Sequence, residues 1–129
     1  MRELNLLSIK ENFLNDDGFD RDIIDLARAM NIEVFQTKEK VDFIAVTEIN
    51  KKYRRIIVNN YKIRDNNMLK FICAYQLAEV IILNKQELCS IFKIEFIDAE
   101  IYKLAQDIFN RSNKYKNNNQ LLKNKILKK

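Results

Sequence analysis

From Met68 to Leu83 the chain runs sixteen residues without Gly or Pro, and only Lys70 and Glu79 are charged, the longest apolar-rich stretch in the sequence. Asp65-Asn66-Asn67 stands just ahead of it, and a short polar side chain there can accept the free N–H groups of a first helical turn. The run predicts a helix that is apolar almost all the way round and therefore buried. Such a helix normally has a sheet on one side and helices on the other. At about 3.6 residues per turn, Tyr75 and Glu79 fall on one face, with Gln76 three residues before Glu79.

A chain of 129 residues is long enough for one real core and too short for two. We expect a single α+β domain over 1–110 and a separate basic tail over 111–129. No apolar run reaches the roughly 18–20 residues of a membrane span. The opening Met-Arg-Glu-Leu-Asn has none of the parts of a signal peptide, so a cytoplasmic protein without membrane contact is the expectation. With one Gly and no Pro, the turns fall to Asn, Asp and Lys.

The chain contains no histidine. Common catalytic zinc sites use two or three imidazoles with a carboxylate, and general acid–base chemistry near neutral pH also loses its usual carrier. We therefore expect no catalytic residue, no metal and no cofactor. Cys73 and Cys89, sixteen apart, form no C-x-x-C pair and read as small buried hydrophobes. Covalent chemistry through Cys73 lacks a basic partner that would lower its pKa.

Along the chain, Leu4, Leu7, Phe13 and Leu14 give a helical pattern, ended by Asp16-Asp17-Gly18. Asp20 caps a second helix over Arg21–Met30, with Ile23, Leu26, Ala27 and Met30 on one face and Asn31 closing it. Ile32–Phe35 reads as a short strand. Val41–Thr47 and Tyr53–Val58, separated by a turn at Asn50–Lys52, predict an antiparallel hairpin. Gln86–Phe96 is ambiguous: Leu88, Ile91 and Phe92 suit a helix, while Lys93–Phe96 alternates like a strand. Asp98 then caps a last helix to about Asn110, with Ile101, Leu104, Ala105 and Ile108 on one face.

The stretch Phe71-Ile-Cys-Ala-Tyr-Gln-Leu-Ala-Glu-Val-Ile-Ile-Leu83 resembles the active-site helix of the ImmA/IrrE-type metallopeptidases, a zincin-like group in which it reads roughly F-T-x-A-H-E-x-x-H-x-x-L. Tyr75 stands where the resemblance puts the first zinc histidine, Gln76 at the general-base glutamate and Glu79 at the second histidine. Asp98-Ala-Glu-Ile-Tyr-Lys-Leu-Ala105 is similar to the segment with the third ligand, which would fall on Asp98, with Glu100 adjacent. The order of elements over about residues 20–110, including Leu26–Val34 and Ile56-Ile-Val-Asn59, also resembles the family. This implies a zincin-like core, a small and mainly antiparallel sheet packed by helices, with the catalytic positions replaced. It implies a catalytically inactive relative that binds and regulates or inhibits a protein partner, of the kind a phage or mobile element could encode.

Tyr75, Gln76, Glu79 and Asp98 admit more than one role. Tyr75 and Gln76 suit polar groups hydrogen-bonded beneath a sheet, with Glu79 reaching solvent or a lysine. The resemblance implies instead a persisting groove that these residues line as a binding surface. Glu79 and Asp98 holding a hard cation through oxygen is a third arrangement, without a supporting ligand loop.

The tail carries Arg111, Lys114, Lys116, Lys123, Lys125, Lys128 and Lys129 and no acid. Removing those seven from the 23 basic residues leaves 16 against 18 acids, so the tail supplies the whole of the +5 balance. It reads as a solvated terminus or as a contact for phosphates or an acidic protein face. Tyr115 alone offers little base stacking. Leu121, Leu122, Ile126 and Leu127 could form a short amphipathic helix. The rival function is accordingly a nucleic-acid-associated accessory protein acting through this tail.

Overall fold

Asp65 starts the central helix by accepting, through Oδ1, the Met68 N–H at 2.8 Å, its own backbone extended. In the computed structural model, which describes residues 12–13 and 21–111, this helix, α2, spans Asn66–Leu83. Asn84 ends it in the left-handed region (φ 45°) and donates to the Val80 carbonyl. The preceding helix α1, Arg21–Ala29, ends the same way. Asn31 has φ 57°, Ile32 N–H donates to the Ala27 carbonyl and Asn31 N–H to that of Arg28, the paired bonds of a left-handed helix stop. Asparagine thus serves where a chain this poor in glycine needs positive φ. A third helix, α3, covers 99–111. Asp98 caps it, with Oδ1 accepting from Glu100 N–H and Ile101 N–H.

The sheet is small and mixed. Its strands are β1 Asn12–Phe13, β2 Glu33–Thr37, β3 Ala45–Ile49, β4 Arg54–Asn59 and β5 Leu88–Ile91, in the spatial order β1-β2-β4-β3-β5. β2 and β4 run parallel, and the other three pairings are antiparallel. The β3–β4 hairpin forms as expected. Asn50 Oδ1 accepts from Lys52 and Tyr53 N–H, which fixes the turn.

One face of the sheet carries Val34, Ala45, Ile49, Ile56 and Val58 against α2 and the inner residues of α1 and α3, including Ile23, Ala27, Ile72, Leu77, Ile101 and Ala105. α2 is buried from Leu69 to Ala78, apart from half-buried Phe71. The opposite face has a smaller cluster of Phe43, Val46 and Ile57, flanked by Phe35 and Val41. The architecture is α+β, and no helix among the described residues is long and apolar enough to cross a membrane.

Four local expectations need correction. Asn12–Phe13 is a strand rather than part of the expected helix, its backbone groups pairing antiparallel with the edge of β2. Val41–Ile44 lies outside β3, since buried Asn59 claims this segment: its Nδ2 donates to the Val41 and Phe43 carbonyls and its N–H to that of Ile44. Lys93–Phe96 is not a strand; Ile94–Phe96 is a single 3-10 turn. Cys73 is buried as expected, but Cys89 is exposed. β5 alternates, with Leu88 and Ser90 half-buried and Cys89 and Ile91 outward. Leu4, Leu7, Leu14, Asp16–Gly18, Asp20 and the tail beyond Arg111 lie outside the described residues.

Candidate functional site

Across the face of the sheet beneath α2, Val34, Ile56, Thr47 and Ser90 sit side by side in register. The row is apolar on β2 and β4 and turns polar on β3 and β5. The α2 residues Gln76 and Glu79 meet this polar end. Gln76 is fully buried, and its Nε2 donates to the Ser90 carbonyl at a long 3.4 Å. Glu79 is half-buried, with the Ser90 side chain and Asp98 as electrostatic neighbours. Tyr75, one turn earlier, accepts the Asp98 N–H on its hydroxyl oxygen at 3.0 Å. Its ring stands edge-on to Phe92, with centroids 5.3 Å apart. Tyr75, Gln76, Glu79 and Asp98 therefore gather around β5 and the start of α3.

Three oxygens in this layer are buried without a hydrogen-bond partner among the described residues: Thr47 Oγ1, Gln76 Oε1 and Glu79 Oε1. Burial pushes the Glu79 carboxyl up, the Ser90 hydrogen bond opposes this, and the negative charge of Asp98 adds to it. Burial also pushes the Cys73 thiol up to about 12, which leaves it without thiolate character at neutral pH. No group of three or more His, Cys, Asp or Glu able to hold a metal ion occurs among the described residues.

Of the four residues, only Glu79 and Asp98 reach the surface; Gln76 is 0% and Tyr75 4% exposed. Of the tail residues, Arg111 is exposed at the end of the described part of α3, and Lys114, Lys116, Lys123, Lys125, Lys128 and Lys129 lie outside it.

Sequence reasoning missed three features. Thr47 and Ser90 come from strands remote in sequence, and no local pattern marks them. Lys70, only 5% exposed, lies with its Nζ 4.7 Å from the Phe109 ring centroid, which satisfies the ammonium on an aromatic face. Ile91, Ile94, Phe96 and Ile97 form a run of exposed apolar residues, Phe96 at 76%. Its signal was present in Lys93–Phe96, whose alternation has no buried counterpart.

No family model, curated protein or solved structure matches the chain.

Proposed function

We propose that this chain is a catalytically inactive protein with a zincin-like core, related to the ImmA/IrrE-type metallopeptidases, that works in the cytoplasm by binding a protein partner and regulating or inhibiting it. A phage or mobile element is a natural source for such an inhibitor. The observation that supports this best is the convergence of Tyr75, Gln76, Glu79 and Asp98. The resemblance assigns these positions to zinc and the general base, and they meet at one place with side chains unsuited to that work. Tyr75 is engaged with the Asp98 backbone, and Gln76 is sealed from solvent. The absence of histidine from the whole sequence supports the same reading. Exposed Ile91, Ile94, Phe96 and Ile97 supply apolar surface beside the site, a feature of protein-contact surfaces.

The test is affinity capture from host lysate with the full chain and with residues 1–110, each with and without nuclease. A protein partner that resists nuclease and remains with residues 1–110 supports the proposal. Nucleic acid that is recovered only with the tail, and lost as salt rises, would favour the accessory-protein reading. Stoichiometric bound zinc, with peptidase activity abolished by Gln76→Ala, would overturn the claim of inactivity.

A further inference from the structure

β5 forms one end of the sheet, with β3 its single partner among the described residues. Phe92 N–H donates to the Ala45 carbonyl just beyond the strand. The two-residue period of an antiparallel ladder then directs the backbone groups of Ser90 and Leu88 toward β3 and those of Cys89 and Ile91 outward. Edge strands are ordinarily guarded by a lysine, a proline, a bulge or a covering element. Leu88-Cys89-Ser90-Ile91 has no charge and no proline. It is followed by the exposed apolar residues Ile94 and Phe96, at 56% and 76%.

The chain that leaves this strand is acidic. Glu95, Asp98 and Glu100 follow the strand against Lys93 alone, and Glu79 lies on the α2 side with one oxygen unpartnered. The two faces of an added strand would therefore meet different surroundings. Side chains on the α2 face would approach Ser90 and Glu79, and those on the other face would approach Cys89 and Ile91.

We infer that the outer edge of β5 is a docking site for an extended peptide segment of a partner, added as a further strand, with basic side chains toward Glu79 and apolar ones toward Ile91. This rests on the protein-binding reading and specifies the partner's chemistry. Backbone pairing supplies affinity, and the alternating side chains supply selection. A cationic peptide gains nothing from the overall charge of a +5 chain and has to find the local acids.

The experiment uses the full chain and three capped synthetic peptides: acetyl-Lys-Val-Lys-Val-Lys-Val-Lys-amide, the same peptide with proline for the central valine, and the glutamate version of the parent. Binding is read by calorimetry at low salt. We expect the lysine–valine peptide to bind. Loss of outward strand bonds should weaken the proline peptide about tenfold or more, and the glutamate peptide should be weakened similarly. Ile91→Pro, which removes an outward N–H and leaves the β3 ladder intact, should weaken the parent peptide to the same extent. Its folding is checked by circular dichroism, and the proline peptide tests the claim on unaltered protein.

Equal binding of the proline and parent peptides would overturn strand addition, and equal binding of the glutamate peptide would overturn the basic preference. Self-association of the free chain that Ile91→Pro abolishes would overturn the peptide assignment in favour of a second copy. If a protein captured from lysate stays bound to Ile91→Pro, partner binding stands and the β5 edge is excluded as its site.

Discussion

The hydroxyl oxygen of Tyr75 accepts the backbone N–H of Asp98 at 3.0 Å, joining the middle of α2 to the residue that caps α3. A helix-start N–H has no partner within its own helix, and here a side chain 23 positions earlier supplies one. The Asp98 carboxylate meanwhile accepts from Glu100 and Ile101. Tyr75→Phe keeps the ring contact with Phe92 and deletes only the acceptor. It should cost about 1 kcal/mol of stability, read as a lower urea midpoint with an unchanged slope. An unchanged midpoint would show that solvent serves Asp98 equally well.

Gln76 points the other way. It is wholly buried, makes one long hydrogen bond and leaves Oε1 unpartnered. An apolar side chain of similar volume relieves that oxygen, so Gln76→Met should be neutral or stabilising in thermal unfolding. A large loss of stability would mean that the amide has a partner, such as an ordered water, worth more than its desolvation.

Glu79 makes stability depend on pH. Its carboxyl is raised in the folded chain, chiefly by burial, so between the unfolded and folded pKa values the native state holds the extra proton. Stability is then greatest below the ordinary carboxyl range and falls as pH rises through that window. Glu79→Gln abolishes the titration and should gain stability relative to the parent at pH 7 more than at pH 4. Equal differences at the two pH values would rule out a raised carboxyl.

The two cysteines should separate cleanly toward a thiol reagent. Cys89 is exposed and Cys73 buried, so native protein should take up about one label per chain and unfolded protein about two. Partial burial, and then the charge of Glu48, hold the Cys89 thiol above its usual value, so its labelling should quicken as pH rises past neutrality. Rapid double labelling of native protein would contradict the packing around α2.

Asn59 offers the largest predicted loss. It is fully buried, its Nδ2 bonds two carbonyls of the 41–44 segment, and its Oδ1 accepts from Tyr61 N–H. Asn59→Asp cannot donate to those carbonyls and should cost about 3 kcal/mol or more. Chemical denaturation measures this, and a change below about 1 kcal/mol would place the stability of that segment elsewhere.

Elements with a local cause were legible in the sequence. α2 follows from its apolar run and Asp65, α3 from Asp98 and the spacing of Ile101, Leu104, Ala105 and Ile108, and the hairpin from Asn50 between two β-branched runs. What depends on distant partners was not. The parallel pairing of β2 with β4 and the placement of β5 beside β3 leave no mark in strands of four to six residues. The exposure of Cys89 follows only once β5 is known to be an edge. The shift of β3 from the expected 41–47 comes from Asn59, a side chain beyond the hairpin turn. Within the candidate site, the helical spacing of Tyr75, Gln76 and Glu79 was readable. Their neighbours Thr47 and Ser90 were not, because each is contributed by a strand whose register is set elsewhere.

The strand order carries a consequence for how the molecule is assembled. β3 and β4 are neighbours in sequence and form the interior of the sheet, whereas β5 reaches β3 only after the whole of α2 has been laid down. Local pairings close early and distant ones late, so the hairpin is the natural seed and β5 the last strand to join. Reopening should follow the reverse order. In native-state hydrogen exchange, the amides of β5 should exchange through a small local opening, while those of β4 wait for global unfolding. The strand beside Gln76 and Glu79 would then be the most easily released part of the sheet's long-range pairing.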